Sequence, residues 1–226
     1  MRIRSTFCCL VFLAVIVSGC SQSSDPPADS LTVPETGALT VYVVNYPLQY
    51  FAERIGGEHV KVVFPAPAGE DPAFWKPDSE TISAFQQAHV ILLNGASYAK
   101  WVGTVSLPET RLVNTTADVA DQYISVKDAV THSHGPGGEH AHTGTATSTW
   151  LDPQIALAQA KAIQEVLTRL RPEYMSEFQE NYDALSSDLN AVDQELGDLV
   201  DGESERLVIV SHPVYQYLQR RYKLNA

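Results

Sequence analysis

Four of the seven histidines, His132, His134, His140 and His142, fall within eleven residues of one another, with Glu139 among them. Two His-x-His pairs present imidazole nitrogens, the donors that suit Zn2+, Cu2+ and Ni2+. A histidine-rich tract is a compositional sign of metal binding. Gly135, Gly137 and Gly138 between the pairs leave the geometry loose, so the tract gathers metal rather than defining one closed site; its bland reading is a solvated polar loop. It is internal, which argues against a purification tag. His212 stands apart. It directly follows Val208-Ile209-Val210-Ser211, an apolar run that reads as a strand, and ligands collect at the carboxyl ends of strands in α/β folds. A lone histidine there reads as a ligand or as a structural residue. Glu70 and Asp71 offer carboxylate oxygens of the kind that bind divalent cations, although acidic loop residues are often only solvated. His59 and His89 precede strands without clustered partners and read as structural.

These side chains need a frame. Leu39-Thr40-Val41-Tyr42-Val43-Val44 is β-branched and aromatic, a buried strand. Leu48, Phe51, Ala52 and Ile55 recur at helical spacing behind Pro47, and Gly56-Gly57 stops that helix. Val60 to Phe64 reads as a strand, Asp78 as the cap of a helix carrying Ile82 and Phe85, Val90 to Leu93 as a buried strand, and Arg111 to Asn114 as a short one. This alternation predicts a parallel sheet flanked by helices. Residues 131–148, without apolar periodicity and rich in Gly, Ser and Thr, predict a mobile loop. Asp152 then caps a helix with Pro153 in its first turn, running to about Leu170. Beyond Pro172, apolar residues from Tyr174 to Leu199 recur every three or four positions. A helix over 173–200 would be ~40 Å long, a stiff spine between two α/β regions. Asp201-Gly202 ends it, and 25 residues from 202 to 226 are far fewer than a lobe needs.

The 226 residues suffice for one large domain or two small ones, and a 44% hydrophobic content fills a core. The formal net charge of −12 repels phosphate backbones and excludes nucleic acid as a partner. Arg2 and Arg4 precede the apolar run Phe7 to Val17, too short to span a bilayer, where ~20 apolar residues are needed. With Val17-Ser18-Gly19-Cys20 it reads as a signal peptide over 1–19, ending in a string that resembles a bacterial lipobox, with Cys20 lipidated as the mature N-terminus. Residues 20–37, rich in Ser and Pro, read as a tether from a lipid anchor to the folded body. The mature chain would keep only Cys20 of its three cysteines and form no internal disulfide. A helical His-Glu-x-x-His, a Gly-x-Ser-x-Gly, a phosphate loop and a dinucleotide fingerprint are all missing from the sequence, so it gives no reason to expect an enzyme.

A set of segments in fixed order adds to this. Asn45-Tyr46-Pro47-Leu48 through Ile55-Gly56-Gly57 come first, followed by Pro67-Ala68-Gly69-Glu70-Asp71-Pro72 with Trp75-Lys76-Pro77. Ala88-His89-Val90 with Asn94-Gly95, then Trp150-Leu151-Asp152-Pro153, and finally Ser211-His212 with Tyr215, Tyr217 and Arg221-Tyr222 complete it. Together, over about 39 to 225, they resemble the metal-specific solute-binding proteins of bacterial ABC importers, the zinc and manganese receptor group. The resemblance implies a bilobed α/β periplasmic-binding-protein-like fold, two lobes joined by one long rigid helix. On that pattern residues 38–150 form the N-terminal lobe, 151–201 the connecting helices, and 202–226 the start of a C-terminal lobe largely missing here. It implies capture of a divalent transition metal, Zn2+ first and Mn2+ or another divalent metal otherwise, as transported cargo. It also implies delivery to an ABC permease and ATPase by a monomeric receptor anchored in the cell envelope, and a histidine-rich loop where this chain has 132–142. The group's ligand pattern matches at His212. It departs at Ala73 and Ser148, which stand where the group usually has histidines, and its fourth ligand, an acid, would lie beyond Ala226. The alternative is the same fold holding a non-metal solute or serving as a protein-interaction module.

Overall fold

The computed structural model describes residues 37–133, 139–203 and 205–225. The expected signal peptide, Cys20, most of the tether and His134 lie outside them. Four parallel strands form one sheet: β1 (Leu39–Val43), β2 (Val60–Val63), β3 (Val90–Leu93) and β4 (Leu112–Asn114), in the order β2-β1-β3-β4. Val41 pairs with Val62 on one side and Val90 on the other, so β1 is the inner strand from which the chain winds outward in both directions. Parallel strands covered on both faces are built from continuous apolar runs, and Val90-Ile91-Leu92 is buried throughout.

The crossovers begin where the sequence marks them. Asn45 caps α1 (Tyr46–Gly56), its Oδ1 accepting the Leu48 N–H at 3.1 Å, with a proline in the first turn. Asp78 caps α2 (Ser79–Gln87) by accepting from Thr81 at 2.8 Å. Asp152 caps α3 (Pro153–Leu170), accepting from Gln154 at 3.0 Å. Leu48, Phe51, Ala52 and Ile55 of α1 join Ala160, Ile163 and Leu167 of α3 in one core. On the other face of β1, Tyr42 meets Phe85 of α2 with ring centroids 4.8 Å apart. Helix α4 (Met175–Val200) has 26 residues, ~39 Å at 1.5 Å per residue. Its first half buries Phe178 and Leu185 against α1 and α3. Leu189 still packs against that core, and the far end leaves it, with Leu199 74% exposed.

Two expectations are corrected. The loop expected over 131–148 is in part strand: β5 (Ser125–Ser133) and β6 (Glu139–Thr145) pair antiparallel. The β-branched residues Val126, Val130, Thr131, Thr143 and Thr145 favour extended backbone, and two neighbouring segments satisfy each other's hydrogen bonds without any apolar periodicity. Residues 207–210 are not a buried strand. Leu207 makes one isolated parallel bridge to Asn225, and Ile209 is 90% exposed. A strand forms where a sheet offers an edge, and here one bridge is all the backbone pairing this run has among the described residues. The following helix α5 (Gln216–Tyr222) folds back onto the body.

Candidate functional site

The carboxyl ends of β1, β3 and β4 are tied by one buried polar network. Asn94 Oδ1 accepts from Asn45 Nδ2 (3.0 Å), Thr149 Oγ1 (3.2 Å) and Gln159 Nε2 (3.2 Å). Its Nδ2 donates to the Thr147 carbonyl at 2.9 Å, and Gln159 Nε2 also reaches Thr115 Oγ1 at 3.1 Å. Residues far apart in sequence are thereby fixed at the crest of the sheet, and the helix-capping Asn45 belongs to the same network. The crevice between β1 and β3, where the strand order reverses, is where ligands bind in open α/β sheets. A cavity of about 290 Å3 lies there, bordered by Val44, Asn94, Gly95, Tyr98 and Asn114. The turn beyond β3 is unusual, with Gly95, Ala96 and Ser97 all at positive φ (77°, 48° and 54°). It drives Tyr98 inward, 7% exposed, its ring edge-on to Trp150 at 5.5 Å. Burial, and then the negative charge of Asp71, push the Tyr98 hydroxyl well above the usual phenol range, so it stays protonated.

Glu70 and Asp71 are exposed on the loop after β2. Asp71 is used locally: its Oδ1 accepts the Ala73 N–H at 2.9 Å, and its carbonyl accepts those of Phe74 and Trp75. Ala73 and Ser148 are both 8% exposed, small side chains set into the crest. His212 lies in the bend between residue 207 and α5 rather than at the end of a strand, and its Nδ1 is 3.1 Å from Ser211 Oγ. What holds this bend is α5. Tyr217 is fully buried and donates to the Ala146 carbonyl at 3.1 Å. Arg220 donates to the Gln122 carbonyl at 2.6 Å and lies 3.5 Å from Asp152. Arg221 pairs with Asp193 of α4, which also accepts from Tyr222 and Gln154 at 2.8 Å each.

The β5–β6 ribbon carries three of the clustered histidines. The register sets His132 directly opposite His140 and Val130 opposite His142. Among the described residues, no group of three or more His, Cys, Asp or Glu is gathered closely enough to hold a metal ion. His59 and His89 make the structural contacts expected of them. His89 Nδ1 accepts the Thr40 N–H at 2.8 Å, and His59 stacks on Tyr174 at 3.6 Å and meets Glu177 at 2.9 Å. Sequence reading passed over Tyr98 and Asp193. The Asn94-Gly95 pair carries no sign of the positive-φ run that buries Tyr98, and the Asp193 partners come from two other helices.

The family model described as zinc-uptake complex component A, periplasmic, matches residues 41–226. The chain belongs to this family. Across the zinc-uptake component A family's neighbourhood, the chain is 25% identical over 217 residues to the manganese-binding lipoprotein MntA of Halalkalibacterium halodurans, covering 94% of this chain and 66% of that protein. It is 24% identical over 198 residues to the metal ABC transporter substrate-binding lipoprotein SloC of Streptococcus mutans, covering 82% and 60%. The periplasmic zinc-binding protein TroA from Treponema pallidum superposes with a TM-score of 0.69 at 20% identity, covering 84% of this chain and 65% of that one, a likeness of fold. The chain thus spans about two thirds of the length of these proteins.

Proposed function

We propose that this chain is an extracytoplasmic solute-binding receptor, not an enzyme, that captures a divalent transition metal, zinc foremost, and hands it to an ABC permease and ATPase. The family match over residues 41–226 carries this reading. The names of the similar proteins, manganese-binding for one and a metal ABC transporter for another, support the cargo and the partner. Lipidated Cys20 would anchor the monomeric receptor to a membrane of the cell envelope, and no helix among the described residues is long and apolar enough to cross one.

In this reading His212 supplies a nitrogen ligand, and Glu70 and Asp71 supply oxygen donors. His132, His134, His140 and His142 collect metal and raise its local concentration. Four ligands make a tight zinc site, so His212 alone requires further donors, which the clustered histidines would supply. Neutral imidazole is the ligand, so capture weakens as pH falls below about 6. Metal analysis of freshly purified protein tests the proposal. Zinc or manganese near one equivalent supports it, and metal-free protein that takes up none on incubation overturns it.

One observation favours a second reading, in which the cleft holds a non-metal solute or a protein surface. Ala73 and Ser148, where the resemblance places histidines, bring no nitrogen donor to the crest. A small organic molecule recovered by mass spectrometry from metal-free protein would select it.

A further inference from the structure

Beside the crest lies a second and larger cavity of about 390 Å3 between the loop after β2, on which Asp71 sits, and the 3-10 turn Lys100–Thr104 after β3. It falls at the lower end of the range for small-molecule sites, which are mostly apolar with a few placed polar groups. Its wall is aromatic: Phe74, Trp75, Pro77 and Trp101 line it, and the two tryptophan rings meet edge-on at 6.3 Å. Trp101 is 5% exposed and locked in turn against Phe85 at 4.9 Å, so this wall is preformed by the core rather than assembled from mobile side chains. Lys76 and Lys100 also line the cavity, and Lys100 Nζ lies over the Phe74 ring, 5.1 Å from its centroid.

Charge decides what fits. The chain carries 27 acidic residues against 15 basic ones. Yet among the described residues neither Lys76 nor Lys100 has a carboxylate within 4.0 Å, whereas the acid-paired cations Arg54, Lys161, Arg171, Arg206, Arg220 and Arg221 do. Two ammonium groups without acidic partners, set on an aromatic pocket, offer a counter-charge to an anion. The rings offer edge and face contacts to a planar group.

We infer that this cavity is a binding site for a compact aromatic carboxylate, its ring packed among Phe74, Trp75 and Trp101 and its carboxylate held by Lys76 and Lys100. The site goes beyond the metal-receptor reading and does not rest on it, since no nitrogen ligand proposed for the metal lines the cavity.

Tryptophan fluorescence of the metal-stripped protein reads occupancy, because two of the three tryptophans line the cavity. Benzoate and phenylacetate are the probes, with benzamide and phenylacetamide as their uncharged counterparts. The expected result is saturable quenching by the carboxylates, with affinity about tenfold or more above that of the amides. In the Lys76→Gln/Lys100→Gln double variant this preference disappears while the far-ultraviolet dichroism is unchanged. A Thr104→Trp variant, which fills the cavity, abolishes saturable quenching by the probes. Absence of saturable binding, equal binding of acids and amides, or an acid preference that survives in the double variant overturns the inference. Zinc titration of the same double variant is expected to match the wild type, which separates failure here from failure of the metal reading.

Discussion

Replacing Asn94 with alanine removes the acceptor on which three buried donors converge. Gln159 Nε2 keeps Thr115 Oγ1 at 3.1 Å, so its loss is partly covered. Asn45 Nδ2 and Thr149 Oγ1 lose the acceptors at 3.0 and 3.2 Å, and the Thr147 carbonyl loses its donor at 2.9 Å. An unsatisfied buried polar group costs ~1–3 kcal/mol. Discounting for relaxation and for water reaching the crest, the expected loss is about 3 kcal/mol. In a chain of this size that corresponds to a fall in Tm of roughly 6–12 °C. Urea unfolding followed by circular dichroism, with an unchanged m-value, measures it. Exposed Gln87→Ala serves as the control, expected within ~0.5 kcal/mol of wild type. If Asn94→Ala were as mild as the control, the crest would not be organised by this network, and the placement of the Tyr98 and Ser148 loops would need another explanation.

Other outcomes follow from the same geometry. Gly95→Ala puts a methyl group onto Thr116 Oγ1, Tyr123 OH and Asn114 Oδ1 at a φ of +77°, so a loss of at least ~2 kcal/mol is expected. Gly103→Ala, whose new carbon meets nothing within 4 Å, should stay near wild type in the same melts. Burial, and then the positive charges of Arg111 and Arg171, hold the His89 pKa below its ordinary value. The stability tied to neutral His89 is therefore fully present above about pH 6.5 and is lost as pH falls through the lower folded value. His89→Gln, which keeps an acceptor for Thr40, should flatten the slope of Tm against pH in that window. Arg221, with Tyr222 and Gln154, holds the Asp193 carboxyl below the usual range against the effect of burial. Its contribution is present above about pH 3.9 and lost below. Asp193→Ala should release α5, seen as faster amide exchange over residues 216–222.

Much of the fold could be read from the chain itself. The caps Asp78 and Asp152, the proline at the start of α3 and the buried run Val90–Leu93 each have a local cause that survives in three dimensions. The long helix began two residues later than its periodicity suggested because Pro172 opens a separate 3-10 turn over Pro172–Tyr174. The errors share another cause. The sequence of β5 and β6 has no apolar period because an antiparallel ribbon is held by its own backbone. Residues 207–210 look like a buried strand, but burial is conferred by a sheet, and composition cannot supply one. The candidate site is an expectation about residue types rather than a place. His212, Glu70 and Asp71 stood out by chemistry. Tyr98 was hidden because its burial depends on three successive positive-φ residues. The pairing of His132 with His140 was hidden because it depends on register.

The central claim is capture of a transition metal by imidazole nitrogen. Calorimetric titration of the metal-stripped chain with Zn2+ near neutral pH tests it most directly, comparing wild type with His212→Ala and with His132→Ala/His140→Ala/His142→Ala. The prediction is saturable binding, weakened about tenfold or more by loss of His212 and reduced in stoichiometry by loss of the ribbon histidines. Binding absent from the wild type, or identical in all three proteins, would contradict it.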